Sequence, residues 1–198
     1  MVWSERLGRL PGTFTTGEAR QVGLHLRDLY RLRDQAALME LSRGVFRKSG
    51  EPAPRFPDLL AVARRAPRAV VCLTSALAVH DLTDQVPPAV QIAVPRTSRP
   101  PAIDYPPTQV SRFDATTFEL GVELVDAAPG EAIRVYSAPR SVVDVFRLRR
   151  QVGEATALIA LRRYIATGDP RVGEVIEIAH TLHVAGPVRA AIDVITAS

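Results

Sequence analysis

The chain has 198 residues, 46% hydrophobic and 23% charged, with one cysteine and a formal net charge of +4. This is an ordinary composition for a folded globular protein; no apolar run reaches the roughly 18 residues of a transmembrane helix, and a lone Cys72 excludes a disulfide framework or a multi-cysteine zinc site. The opening MVWSERLGRLPG lacks the apolar core of a signal peptide, so a cytoplasmic protein with no membrane partner is expected.

Trp3 to Leu10 reads as a short amphipathic helix with Trp3, Leu7 and Leu10 on one face, ended by Pro11-Gly12. Thr15 or Thr16, with Glu18 close behind, caps a second short helix through Gln21. Gly23 supplies a turn, and the next helix runs from about His25 to Ala37. In it Leu26, Leu29 and Leu32 recur every three residues and are expected to face inward. Residues 38–41 and 44–47 alternate apolar and polar like two short strands around the turn Ser42-Arg43-Gly44. The order helix, turn, helix, hairpin is that of a winged helix-turn-helix, expected over residues 1–48.

The charge divides unevenly along the chain. Residues 1–48 carry nine Lys/Arg and five Asp/Glu, whereas the rest carries sixteen of each. The whole net charge thus falls in the first quarter and points to a polyanionic partner. With the leucines inward, the helix over 25–37 presents Arg27, Asp28, Tyr30, Arg31 and Asp34. Arginine can reach guanine edges in a major groove, and Tyr30 a phosphate or a thymine methyl. The candidate DNA-binding residues are Thr16, His25, Arg27, Tyr30 and Arg31, with Arg43 at the wing tip and Arg47 and Lys48 at its base for phosphate contacts. Asp28 and Asp34 weigh the other way, because acids repel phosphate; the competing reading is an ordinary solvated surface helix.

Residues 49–57, Ser-Gly-Glu-Pro-Ala-Pro-Arg-Phe-Pro, read as a proline-rich linker. Residues 58–198 form the expected second domain. A helix capped by Asp58 runs to Ala66, and a mostly apolar segment from Ala69 to Leu82 is helical at least from Thr74 or Ser75. A strand at Val90–Val94 precedes an extended loop over 95–108 with five prolines. Strands follow at Gln109–Phe113, Val122–Val125 and Ile133–Tyr136, then helices at Ser141–Arg150, Glu154–Ala166, Val172–His180 and Val188–Ala197. The fold class is therefore α+β: a winged helix-turn-helix followed by a mixed α+β domain.

The motifs of phosphate-binding loops, dinucleotide folds, zinc proteases, serine hydrolases and kinases are absent from the sequence. Cys72 lies among Val70, Val71 and Leu73 and reads as a small buried hydrophobe. His180 and His183 lack a third ligand, so no metal is expected. Ser75 and His80 are five residues apart, about 140° around a helix, which is poor triad geometry. Two clusters stand out. Val94-Pro95-Arg96 delivers an arginine into the proline-rich loop. Ala138-Pro139-Arg140-Ser141-Val142-Val143-Asp144 is a strand-to-helix junction in which Ser141 and Asp144 have capping-box spacing. Arg140 there can pair with Asp144 and lock the junction, or bind an anion.

These pieces in order resemble the AbiEi family of antitoxins over nearly the whole chain. Phe14-Thr15-Thr16-Gly17-Glu18-Ala19-Arg20, Leu29-Tyr30-Arg31-Leu32 and Leu41-Ser42-Arg43-Gly44-Val45-Phe46-Arg47 look like that family's winged-helix start. Leu73-Thr74-Ser75-Ala76-Leu77-Ala78 with His80, Ile92-Ala93-Val94-Pro95-Arg96 and Arg140-Ser141-Val142-Val143-Asp144 match further recurring pieces, which marks Ser75, Arg96, Arg140 and Asp144 as second-domain motif residues. Asp34-Gln35 departs from the more basic residues that often follow in the family. The resemblance implies an antitoxin that counters a co-encoded nucleotidyltransferase toxin and represses its own operon, with operator DNA and that toxin as partners and a possible homodimer on DNA. No cofactor is expected. One alternative is an atypical serine protein kinase acting on the toxin with ATP and Mg, for which Arg96, Arg140, Asp144, Asp126 and Lys48 would be the candidate phosphate or metal contacts. Another is a plain winged-helix transcriptional regulator with a ligand-sensing or dimerisation domain.

Overall fold

The computed structural model describes residues 2–197. Among these the chain forms ten helices and two sheets, an α+β architecture. It divides into two compact units. The first comprises Met1–Arg68, Pro101–Thr108 and Val125–Ile133; the second comprises Ala69–Pro100, Gln109–Leu124 and Arg134–Ser198.

The first unit contains α1 (Val2–Gly8), β1 (Thr13–Thr15), α2 (Thr16–Gln21), α3 (Leu26–Asp34), β2 (Leu38–Ser42), β3 (Val45–Lys48) and α4 (Pro57–Arg65). Its three strands pair in the order β1-β3-β2, antiparallel, with Phe14 opposite Phe46. This is the winged helix-turn-helix topology, with β2–β3 as the wing. Thr15 rather than Thr16 caps α2: its Oγ1 accepts from Glu18 N at 3.2 Å while Glu18 Oε2 accepts from Thr15 N at 2.7 Å. Two donors that the first helical turn would leave unpaired are thereby satisfied. Gly23 takes a φ of +80° in the turn to α3, a conformation that favours glycine. Phe14, Ala19, Leu24, Leu29 and Phe46 are wholly buried in one cluster with Leu32 and Leu38. Each large side chain there contributes roughly 1.5–3 kcal/mol, and together they fix α3 against the sheet.

Four expectations change here. α3 stops at Asp34, because Ala36 turns left-handed at φ +57° and Ala37 N closes onto Leu32 O at 2.9 Å. Leu26 does not face inward: it is 39% exposed. Three-residue steps drift about 60° around a helix, so only Leu29 and Leu32 reach the core. Residues 49–57 lie within the first unit and are tied there, since Arg47 Nη2 donates to Pro52 O at 2.5 Å and Arg55 N to Ala127 O at 2.7 Å. The boundary between compact units therefore does not coincide with the proline-rich stretch. α4 begins with Pro57 at its first position, and Asp58 sits inside the first turn rather than capping it.

The second sheet has the order β6-β5-β4-β8-β7, formed by β4 (Val70–Val71), β5 (Val90–Pro95), β6 (Thr108–Phe113), β7 (Val122–Ala128) and β8 (Glu131–Tyr136); all of it belongs to the second unit except Thr108 and the hairpin end Val125–Ile133, which fall in the first. β4 runs antiparallel to β5 and parallel to β8. The helices are α5 (Leu73–Val79), α6 (Ala138–Arg147), α7 (Arg149–Val152), α8 (Glu154–Ile165), α9 (Val172–Thr181) and α10 (Ala185–Thr196). α6 is the central one, buried from Pro139 through Phe146. It starts earlier than the Ser141–Asp144 spacing suggests. Ser137 is its cap, with Oγ accepting from Arg140 N at 3.4 Å, and Pro139 occupies the first turn, where no backbone donor is needed. Ser141 is a buried interior residue whose Oγ donates to Tyr136 O at 3.0 Å.

Candidate nucleic-acid interface

The first unit presents α3 with its buried side on the sheet and its opposite side free. Arg27, Arg31 and Asp34 fall within about 60° of one another around the helix, and all three are exposed. Arg31 lies with its guanidinium 5.2 Å from the Trp3 ring centroid, which holds the side chain against α1 without neutralising it. Arg27 forms no ion pair among the described residues. Arg20 on α2 is exposed too.

The acids on this side are partly engaged. Asp28 Oδ2 accepts from His25 N at 3.0 Å, so it stabilises the start of α3. Arg33 pairs with both Asp34 and Glu40 at 3.0 Å. These exposed pairs add little stability, but they offset the negative charge that would face a phosphate. His25 is exposed at the N-cap of α3. Tyr30 is only half available: its ring packs edge-on against Phe46 at 6.2 Å, with the Arg33 guanidinium 4.8 Å from its centroid. Thr16 opens α2 beside the wing, with its N donating to Gly44 O at 2.9 Å. Leu26, half-exposed in the first turn of α3, joins this surface and suits a thymine methyl. Its place in a leucine repeat hid it from sequence reasoning.

The wing base differs from expectation. Arg43 is exposed at the tip, but Arg47 is 4% exposed and cannot reach phosphate. Its Nη1 donates to Glu131 Oε1 at 2.7 Å and to Thr13 Oγ1 at 2.6 Å. Glu131 also accepts from Arg64 Nη2 at 2.8 Å and Thr13 N at 3.0 Å. Burial alone would raise the Glu131 carboxyl, but the bonds from Arg47, Arg64 and Thr13 together hold it below its ordinary value. Lys48 is half-buried, its Nζ donating to Leu10 O at 2.6 Å. Both side chains hold the sheet rather than a ligand. The first unit as a whole carries 13 Lys/Arg against 10 Asp/Glu, and the second 12 against 11, so the positive balance remains mostly with the winged helix.

In the second unit three of the four motif residues, Ser75, Arg140 and Asp144, serve structure. Arg140 and Asp144 are wholly buried and pair at 2.9 Å. Arg140 Nη1 donates to Thr117 O and Leu120 O at 2.9 and 2.8 Å, pinning the loop before β7, and its guanidinium lies 4.5 Å from the Tyr136 ring centroid. Arg147 Nη2 reaches the other Asp144 oxygen at 2.8 Å. Burial pushes the Asp144 carboxyl above its ordinary value against the pull of both arginines. Neither Arg140 nor Asp144 is open to a phosphate or metal. Ser75 is 3% exposed and its Oγ accepts from Gln91 N at 3.0 Å. His80 Nε2 lies 2.8 Å from Tyr136 O. Arg96 is exposed beyond β5. These second-unit residues do not converge on one site. Asp126, on β7, is exposed in the first unit. Cys72 is wholly buried, and burial raises its thiol. Among the described residues no group of three His, Cys, Asp or Glu side chains could hold a metal ion, and no helix is long and apolar enough to cross a membrane.

Fold and surface together define an α+β chain whose first unit is a winged helix-turn-helix with Arg27 and Arg31 exposed along one side of its third helix. No protein-family profile matches the sequence, and no curated protein does. Among solved structures, the chain is similar to the crystal structure of RV2827C protein from Mycobacterium tuberculosis, with a TM-score of 0.55 at 15% identity, over 97% of this chain and 79% of that one. At that identity the likeness speaks to the fold alone.

Proposed function

We propose that the chain binds duplex DNA through α3 and acts as the antitoxin and autorepressor of a toxin–antitoxin operon. The observation that carries the DNA-binding part is the stripe of Arg27 and Arg31 on a winged-helix α3 whose opposite face is locked by Leu29 and Leu32. The exposed arginines Arg20 and Arg43 flank that stripe in sequence and supply phosphate contacts. Arg47 and Lys48 take no part. The antitoxin part rests on the resemblance in sequence, with a nucleotidyltransferase toxin as the second partner. The buried pairing of Arg140 with Asp144 removes those two residues from the phosphoryl-transfer alternative.

Two assays separate the parts. In a mobility shift on the DNA upstream of its own gene, the wild-type chain is expected to bind and the double variant Arg27→Ala, Arg31→Ala to lose binding. Equal binding by both would remove α3 from the interface. Co-expression with the neighbouring gene is expected to relieve growth inhibition by that gene's product; absence of relief, with DNA binding intact, would leave a plain regulator.

A further inference from the structure

Four of the chain's six glutamines line one pocket in the second unit. Gln85, Gln91, Gln109 and Gln151 come from four separate segments: the loop after α5, then β5, β6 and α7. Chance placement would put fewer than one glutamine in a ten-residue lining. The pocket holds about 420 Å³, and its lining contains no charged side chain. Leu73, Val86 and Val152 give it apolar walls.

Two of the amides, Gln91 and Gln109, are oriented before anything binds. Gln91 Oε1 accepts from Thr74 N at 2.8 Å and Ser75 N at 3.4 Å, so two backbone donors fix which end of the amide faces them. Ser75 Oγ holds the same residue by accepting from Gln91 N at 3.0 Å. The Gln91 amide nitrogen must then point the other way, and it donates to Gln109 Oε1 at 3.2 Å. That bond in turn leaves the Gln109 NH₂ group outward as a donor. Ser75 thus holds Gln91 at its main chain through Oγ and at its amide through its backbone N–H.

We propose that this pocket binds the base of an uncharged purine nucleoside. A lining without charge offers no anchor for phosphate or carboxylate. Gln91 is held by Thr74, Ser75 and Gln109 and Gln85 by Thr156, so Gln109 and Gln151 are the carboxamides left to pair with an edge that carries a donor beside an acceptor, as glutamine does with N6 and N7 of adenine. Apolar walls suit the ring faces, and the volume is in the range of small-ligand sites. The inference is independent of DNA binding by α3.

Calorimetric titration of the full chain with adenosine, and separately with ribose, tests it. Saturable one-to-one binding of adenosine is expected, with no binding of ribose. Gln109→Ala and Gln151→Ala change exposed side chains, so thermal unfolding should match wild type while adenosine binds about tenfold more weakly in each. The Arg27→Ala, Arg31→Ala variant should bind adenosine as wild type does. No saturable binding at millimolar adenosine, equal binding of ribose, or unchanged affinity in both glutamine variants would overturn the proposal.

Discussion

Replacing Glu131 by glutamine should destabilise the first unit by about 3–5 kcal/mol, the cost of breaking a buried ion pair from one side. The structure supplies the reason. Glu131 is 5% exposed and accepts from Arg47, Arg64 and Thr13. Two of those bonds come from guanidinium groups, each worth roughly 1.5–3 kcal/mol. In Glu131→Gln the new NH₂ faces a donor, and Arg47, 4% exposed, keeps a charge without its carboxylate. Trp3 is the sole tryptophan and packs against the first unit's core, so its fluorescence in a denaturant titration reports this unit. The double variant Arg47→Met, Glu131→Leu should recover part of the loss, because it removes the unpaired Arg47 charge but leaves Thr13 N and Arg64 without the carboxylate. The pH dependence has a definite sign. Glu131 is held below its ordinary value of 4.5 in the folded state, so its contribution is present above that value and is lost as pH falls through the lower folded value. Wild type should therefore lose Trp3-monitored stability below about pH 4.5 more steeply than Glu131→Gln. A loss under about 1 kcal/mol at neutral pH, with parallel acid profiles, would refute the reasoning.

Four further outcomes follow from the packing. Asp144→Asn leaves Arg140 and Arg147 facing a neutral group and should cost the second unit about 3–5 kcal/mol by circular dichroism, without changing DNA binding. Gly121→Ala should lower the melting temperature sharply, since φ is +69° there and a Cβ would stand 2.8 Å from Arg140 Cβ. Gly130→Ala, at φ +71° with nothing within 4 Å, should cost only about 1–2 kcal/mol for its backbone strain, and equal losses at the two glycines would contradict this. Leu29→Ala should cost about 2–5 kcal/mol for a cavity under α3, read by Trp3 fluorescence.

Local rules made the winged helix readable: the Thr15–Glu18 capping box, the Gly23 turn and the alternating hairpin all act within a few residues. What they could not reveal lies far apart in sequence. β1 is three residues long and takes its identity from pairing with Phe46. β4 is two residues long and needs β5 and β8. Arg47 looked like a phosphate contact because its carboxylate stands 84 positions away at Glu131. Ser141 and Asp144 had capping-box spacing, yet Asp144 is held by Arg140 and Arg147, and the true cap is Ser137. On α3, Arg27 and Arg31 needed only helical periodicity, whereas Leu26 was misplaced because a three-residue repeat drifts off a 3.6-residue helix.

The most direct test of DNA binding by α3 is the salt dependence of binding to a duplex from upstream of the gene. Affinity should fall linearly with salt on logarithmic axes, and removing Arg27 and Arg31 should make the slope shallower by about 1.8, roughly 0.9 for each phosphate no longer neutralised. Arg47→Met with Glu131→Leu should leave slope and affinity as in wild type. A slope unchanged by the loss of Arg27 and Arg31, or one that flattens only when Arg47 is replaced, would contradict the account.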